Sequence, residues 1–258
     1  MKLLLSNDDG IDAPGLVALA DALQKDYQCL VVAPATEKSA CGHSISIGQE
    51  LVMEERKKGW FAVYGTPADA IKLALSEIKD YRPNLLISGI NPGPNTGVSV
   101  YYSGTISAAR EGLINRIPSM AVSLGSKTPA SFTPAASFVL SLVKGYEKNI
   151  FPQDVLLNIN IPDLPESEIR GIKVARQAPS RFIEEFVKGN SLDQKRIYTL
   201  AGEIEIFDAD GTTDEEVLND GFISITPLKL DLTDYQAMSV LEQQFKERTF
   251  QWQKPKRT

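Results

Sequence analysis

The chain is poor in the residues that thiolate-metal, disulfide and nucleic-acid-binding proteins depend on. Its 258 residues hold two cysteines, Cys29 and Cys41, and one histidine, His43. Two cysteines are too few for a disulfide scaffold, and no Cys-x-x-Cys spacing points to zinc, so free thiols are expected. A single histidine also disfavours a zinc site built on imidazoles. A Ser-His-Asp hydrolase would have to use His43, and no Gly-x-Ser-x-Gly elbow is present. No stretch approaches the roughly 20 apolar residues of a membrane span. The opening MKLLLSNDD meets acidic residues where a secretory signal would continue apolar, so a cytoplasmic location is expected, with no membrane partner. The net charge of -6 leaves no excess of Lys and Arg to neutralise a polyanion, which argues against a nucleic-acid polymer as principal ligand. Neither a Gly-x-Gly-x-x-Gly array nor a P-loop Gly-Lys-Ser/Thr occurs, which disfavours dinucleotide or nucleoside triphosphate binding through those motifs. No internal repeat or low-complexity linker divides the chain.

What is present is a chain with 43% hydrophobic residues, enough for a sizeable core. Lys2 to Leu5 reads as a buried strand, Leu16 to Leu23 as a helix after a break at Pro14-Gly15, and Cys29 to Ala33 as the next strand. This is an opening β-α-β unit with a parallel crossover. Ile45 to Ile47, Leu51 to Glu55 and Trp60 to Val63 read as short strands or hairpin arms. A helix follows at Ala68 to Leu75, with Thr66 and Pro67 suited to its cap and first turn. Leu85 to Ser88, Ser119 to Val122 and Val155 to Ile159 read as strands, and Ser107 to Leu113 as a helix. The alternation predicts a three-layer α/β core over about residues 1–160. Beyond it, Tyr198 to Leu200, Glu203 to Phe207 and Gly221 to Thr226 read as β segments, and Asp234 to Lys246 as a C-terminal helix. Residues 161–258 are thus expected to be a hairpin and C-terminal extension of a single domain. The tail KERTFQWQKPKRT (246–258) carries five basic residues against one Glu, suited to a solvated or subunit-packing segment or to an electrostatic contact.

In open α/β sheets, ligands bind outside the carboxyl ends of the strands. The loop after the first strand is Ser6-Asn7-Asp8-Asp9-Gly10. Adjacent carboxylates there are costly unless paired, so they either hold a cation or cap a turn. Asp8 and Asp9 offer hard oxygens, Ser39 a hydroxyl and Asn91 an amide carbonyl, a set suited to one Mg2+ or Mn2+. Read singly, Ser39 also fits an ordinary loop and Asn91 a structural turn in the Gly- and Pro-rich run 88–97. Ser103, Gly104 and Thr105 open a helix, where exposed N–H groups and hydroxyls suit an anion. Asn7, Gly42, His43 and Asn95 complete the phosphate-binding candidates. His43 fits either a structural hydrogen bond or a general acid at a leaving-group oxygen. A metal from one loop and an anion cradle from another are the parts of phosphoryl transfer to water. Asp9 is the carboxylate expected to position or deprotonate that water; attack by an aspartate to give a phosphoenzyme is the alternative. Tyr101 and Phe182 are aromatic candidates for base recognition.

The segments SNDDGIDAPG, VVAPATEKSACGHSIS, SGINPGPNTG, YYSGTISAAREG and ISITPLKLDLTDY, in this order, resemble the successive signatures of the SurE survival proteins. Ala40, where the family often has glycine, and Val98, where it often has a polar residue, depart from the pattern. The resemblance implies a Rossmann-like sandwich with a mostly parallel sheet, protruding β-hairpins and a C-terminal helical arm. It implies a divalent metal on Asp8, Asp9, Ser39 and Asn91. It also implies hydrolysis of nucleoside 5'- and 3'-monophosphates, and homodimers or homotetramers assembled through the hairpins and an exchanged arm. The rival reading is a metal-stabilised nucleotide-binding module without turnover.

Overall fold

The computed structural model describes residues 1–190 and 195–247. Residues 248–258 of the basic tail lie outside the described residues. The first strand, β1 (Lys2–Ser6), shows how the sheet is built. Its apolar side chains alternate faces, so Leu3 and Leu5 enter one core and Leu4 the other. On the first face lie α1 (Pro14–Leu23) and α5 (Thr133–Glu147), which bury Leu16, Leu19 and Leu23, and Val139 and Val143. On the second lie α2 (Pro67–Glu77) and α4 (Gly104–Ile114), burying Ile71, Ala74, Ile106 and Leu113. The result is a three-layer α/β sandwich.

The other strands of the main sheet are β2 (Gln28–Pro34), β3 (Met53–Lys57), β4 (Trp60–Val63), β5 (Leu85–Pro92), β6 (Ser119–Leu124), β7 (Leu156–Ile161), β8 (Ile172–Val174) and β11 (Ile223–Leu228). They lie in the order β3-β4-β2-β1-β5-β6-β7-β11-β8. Neighbours pair in parallel except β3 with β4 and β11 with β7. The chain runs outward from β1 to β2 and returns to β5 on the other side of β1. The strand order therefore reverses between β1 and β5, and that switch point opens the crevice in which such sheets bind ligands.

Several elements differ from the sequence expectation for identifiable reasons. The helix expected from Leu16 starts at Pro14, because proline fits the first helical position. Ile45 to Ile47 form a loop, not a strand. The N–H and hydroxyl of Ser46 donate to Asp69 Oδ1 and Oδ2 at 3.0 and 2.7 Å, fastening this segment to the start of α2. The two β segments expected around Gly202 are one strand, β10 (Tyr198–Ile206), paired antiparallel with β9 (Ser180–Lys188) as a separate two-stranded ribbon. The Phe182 ring lies over Gly202, filling the place of the missing side chain. The main sheet also draws on β8 and β11, beyond residue 160.

The chain forms two compact units, Met1–Leu228 and Lys229–Thr258. In the second, α7 (Tyr235–Glu247) begins after Asp234, whose Oδ1 accepts from the N–H groups of Gln236 and Ala237. Among the described residues, no helix is long and apolar enough to cross a membrane.

Candidate functional site

Asp8 and Asp9 follow β1, and Asn91 lies at the end of β5. Ser6 pairs with Ser88 across these neighbouring strands, so Asp9 and Asn91 each stand three residues past a paired position, one on either side of the switch point. Two further segments close on Asp8. The Lys38 N–H donates to the Asp8 carbonyl at 2.7 Å, bringing in the loop that carries Ser39. The Thr105 hydroxyl donates to Asp8 Oδ1 at 2.6 Å, bringing in α4. The same loop is joined to the short helix α3 (Ser99–Tyr102) where Gly42 N–H donates to the Tyr102 carbonyl at 3.0 Å.

Gly104 makes the approach of Asp8 possible. A Cβ at that position would stand 2.5 Å from Asp8 Cβ and 2.7 Å from Oδ2. With no side chain there, Asp8 sits at the N-terminus of α4, where the Gly104 and Thr105 amides favour its charged form. Asp8 thus lies at the same helix end as Ser103, Gly104 and Thr105, the residues the sequence suggested for an anion.

The hydrogen bonds do not offset burial for either carboxylate. Asp8 is 4% exposed, and burial raises its pKa despite the hydrogen bonds from Thr105 and the backbone. Asp9 is pushed up to about 7 by burial and then by the negative charges of Asp8 and Glu37. Its Oδ2 is buried with no hydrogen-bond partner. A buried oxygen without a donor, surrounded by like charge, is the environment a divalent cation relieves. The residues thus fit the metal that the resemblance implies. Among the described residues no three His, Cys, Asp or Glu side chains form a metal cluster, and the expected set contains only two such residues, Asp8 and Asp9. Asn91 commits its amide nitrogen to the Gly93 and Pro92 carbonyls at 2.7 and 3.3 Å, leaving Oδ1 as its acceptor. Ser39 is exposed, and its hydroxyl donates to Glu37 Oε1 at 2.6 Å.

The other candidates make the following hydrogen bonds. Asn7 staples the Asp8-Asp9 turn: its Nδ2 donates to the Gly10 carbonyl at 2.9 Å, and its Oδ1 accepts from Gly10 N–H at 3.2 Å. Asn95 is held over the sheet, its N–H donating to Asn160 Oδ1 at 2.8 Å and its Nδ2 to Ser123 Oγ at 2.9 Å. Ser103 caps α4 by accepting from Ile106 N–H at 3.1 Å, which leaves its O–H as a donor. His43 Nε2 lies 3.0 Å from Glu111 Oε2, and Lys72 Nζ lies 2.9 Å from Glu111 Oε1. Burial alone would raise the Glu111 pKa, but the hydrogen bonds and charges of His43 and Lys72 outweigh it and lower it. Glu111 is absent from the sequence-based candidates; its one visible sign is an acid among small and apolar residues of a helix, Ala108, Ala109, Gly112 and Leu113.

The family model described as "Survival protein SurE" matches residues 3–184. The chain belongs to the SurE family. It is 43% identical over 247 residues to a protein named 5'-nucleotidase SurE from Syntrophus aciditrophicus, covering 94% of this chain and 93% of the relative. It is 45% identical over 245 residues to the 5'-nucleotidase SurE of Thermosynechococcus vestitus, covering 90% and 92%. The crystal structure of the SurE protein from Aquifex aeolicus superposes with a TM-score of 0.82 at 38% identity, covering 95% of this chain and 99% of that one.

Proposed function

We propose that this SurE-family chain is a divalent-metal-dependent phosphomonoesterase that hydrolyses nucleoside 5'- and 3'-monophosphates to nucleoside and phosphate. The observation that carries the reading is the pair Asp8 and Asp9 at the switch point, with Asp9 Oδ2 buried and unpartnered. The relatives named 5'-nucleotidase SurE support the substrate class.

In this reading Asp8, Asp9, Ser39 and Asn91 hold one Mg2+ or Mn2+ per subunit. When bound, it supplies positive charge against the phosphate and acidifies water beside it. Thr105 fixes the orientation of Asp8 through the 2.6 Å bond. Asp9 also positions the attacking water and takes its proton. The free O–H of Ser103 donates to a phosphate oxygen. Asn7, Gly42, Asn95, Gly104 and Thr105 shape the cradle through the contacts described above. His43, oriented by Glu111 through Nε2, presents Nδ1 toward the leaving group. The β9–β10 ribbon, which exposes Phe186 and Leu200, and the C-terminal arm supply the contacts of a homodimer or homotetramer in the cytoplasm.

The test is phosphate release from a panel of nucleoside 5'- and 3'-monophosphates with Mg2+, Mn2+ or EDTA. Metal-dependent release supports the reading. Saturable nucleotide binding without release would put the binding module in its place.

A further inference from the structure

Strand β7 reads LLNINI, and its two faces differ. Leu157, Ile159 and Ile161 enter the core that holds α1 and α5, while Leu156 enters the core that holds α2 and α4. Alternation along the strand places Asn158 and Asn160 on the Leu156 face. Both are fully buried. A primary amide in such a place is costly unless its donors and acceptors are met. The partner of both is a single residue, Asn95, in the loop that follows the candidate ligand Asn91.

Asn158 Nδ2 donates to the Asn95 carbonyl at 2.7 Å, and Asn160 Nδ2 donates to the same carbonyl at 3.4 Å. In the other direction, Asn95 N–H donates to Asn160 Oδ1 at 2.8 Å, and Asn95 Nδ2 donates to Ser123 Oγ at 2.9 Å. The remaining polar atom of Asn158, Oδ1, is buried with no hydrogen-bond partner. Burial of this amide is therefore offset only by its hold on Asn95.

The hold reaches Asn91 by two routes. Asn91, Ser123, Asn160 and Ser224 stand opposite one another across β5, β6, β7 and β11, so Asn95 folds back over the row that Asn91 begins. Between the two, Asn91 Nδ2 donates to the Gly93 carbonyl at 2.7 Å, which leaves Oδ1 as its acceptor. A turn fixed to the sheet at Asn95 and to Asn91 itself at Gly93 restricts the Asn91 side chain.

We infer that Asn158, with Ser123 and Asn160, is a positioning residue for Asn91, holding its side-chain oxygen in place for the cation before the cation arrives. The inference rests on the metal reading above. It puts part of the control of cation affinity in buried residues of β6 and β7 that do not touch the cation.

The experiment titrates the full chain with Mn2+ in a calorimeter, as wild type, Asn158→Leu, Ser123→Ala and Ser224→Ala, with the Tm of each recorded. Asn158→Leu removes the donor to Asn95 and also the unpartnered Oδ1, at nearly constant side-chain size, so the fold is expected to survive. Mn2+ binding is expected to weaken about tenfold in Asn158→Leu, the lower end of the loss for a partner behind a ligand, and to weaken in Ser123→Ala. Ser224→Ala lies on the same buried row, but its Oγ has no hydrogen-bond partner, so the affinity stays at the wild-type value. Added to Asn91→Ala, Asn158→Leu causes no further loss, because it acts through Asn91; a merely structural role would add its effect. If Asn158→Leu does not fold, Ser123→Ala decides.

Unchanged affinity in the folded variants, an equal loss in Ser224→Ala, or additive losses with Asn91→Ala would overturn the inference and leave the metal reading standing. A folded wild type that binds no Mn2+ would overturn both.

Discussion

The Thr105 hydroxyl and Asp8 Oδ1, 97 residues apart in sequence, meet at 2.6 Å and fix the first turn of α4 against the carboxylate. Both groups are buried, so the orientation of Asp8 depends on this bond. Thr105→Val keeps the shape and removes the donor. It is expected to lower metal affinity or activity about 10- to 100-fold, the usual effect of losing a partner behind a ligand. Phosphate release as a function of Mn2+ concentration checks this, and an unchanged half-saturating concentration with unchanged turnover would count against the role.

Gly104→Ala tests the same junction by crowding it. A Cβ 2.5 Å from Asp8 Cβ forces the turn and the helix apart, and overpacking of this kind costs about 1–3 kcal/mol. Denaturant unfolding should show a lower midpoint with activity lost in the fraction that remains folded. A fully active, equally stable variant would mean that the approach of Asp8 is not required.

Cation binding should stabilise the fold, because Asp8 and Asp9 are buried beside each other with no opposing charge among the causes that shift Asp9. Binding to the folded state adds about 2.7 kcal/mol at a cation concentration 100 times Kd. Mn2+ or Mg2+ is therefore expected to raise Tm in the wild type and to leave Tm unmoved in Asp9→Asn. An equal rise in both would place the cation elsewhere.

Glu111 offers a pH test away from the carboxylate pair. Its folded pKa lies below the ordinary 4.5, because His43 and Lys72 favour its charged form against burial. Its contribution to stability is fully present above pH 4.5 and is lost as pH falls through the lower folded value. Glu111→Gln is expected to cost about 1–3 kcal/mol near neutrality, where hydrogen bonds to a charged group are lost. The difference from wild type should shrink below pH 4.5. A gap constant down to strongly acid pH would show that the charge of Glu111 plays no part.

What the sequence disclosed follows from local physics. The Leu3-Leu4-Leu5 run, terminated by acids, announces a strand buried on both faces with polar groups at its end, and the structure seats that strand centrally, with Leu3 and Leu5 in one core and Leu4 in the other. Thr66-Pro67-Ala68-Asp69 announces a capped helix, and the capping box is present. Long-range partners were not legible. Glu111 gains its meaning from His43, 68 residues away, and Asp214 from Gly97, 117 residues away. The sequence signal of α5 is weak, because Thr133-Pro134 opens it and serine and glycine interrupt its apolar residues. Ile45 to Ile47 have strand-like composition, but Asp69 holds Ser46 in a loop, a tertiary bond that outweighs propensity.

Asp8 and Asp9 are expected to perform metal-dependent hydrolysis of a nucleotide. The measurement that tests it most directly is phosphate release from adenosine 5'-monophosphate with saturating Mn2+, comparing wild type with folded Asp9→Asn. Release by the wild type is expected, abolished by EDTA, with a fall of about 10²- to 10⁴-fold in Asp9→Asn, the scale of losing a general base. Equal release by both proteins, or none from a folded wild type with any metal, would contradict it.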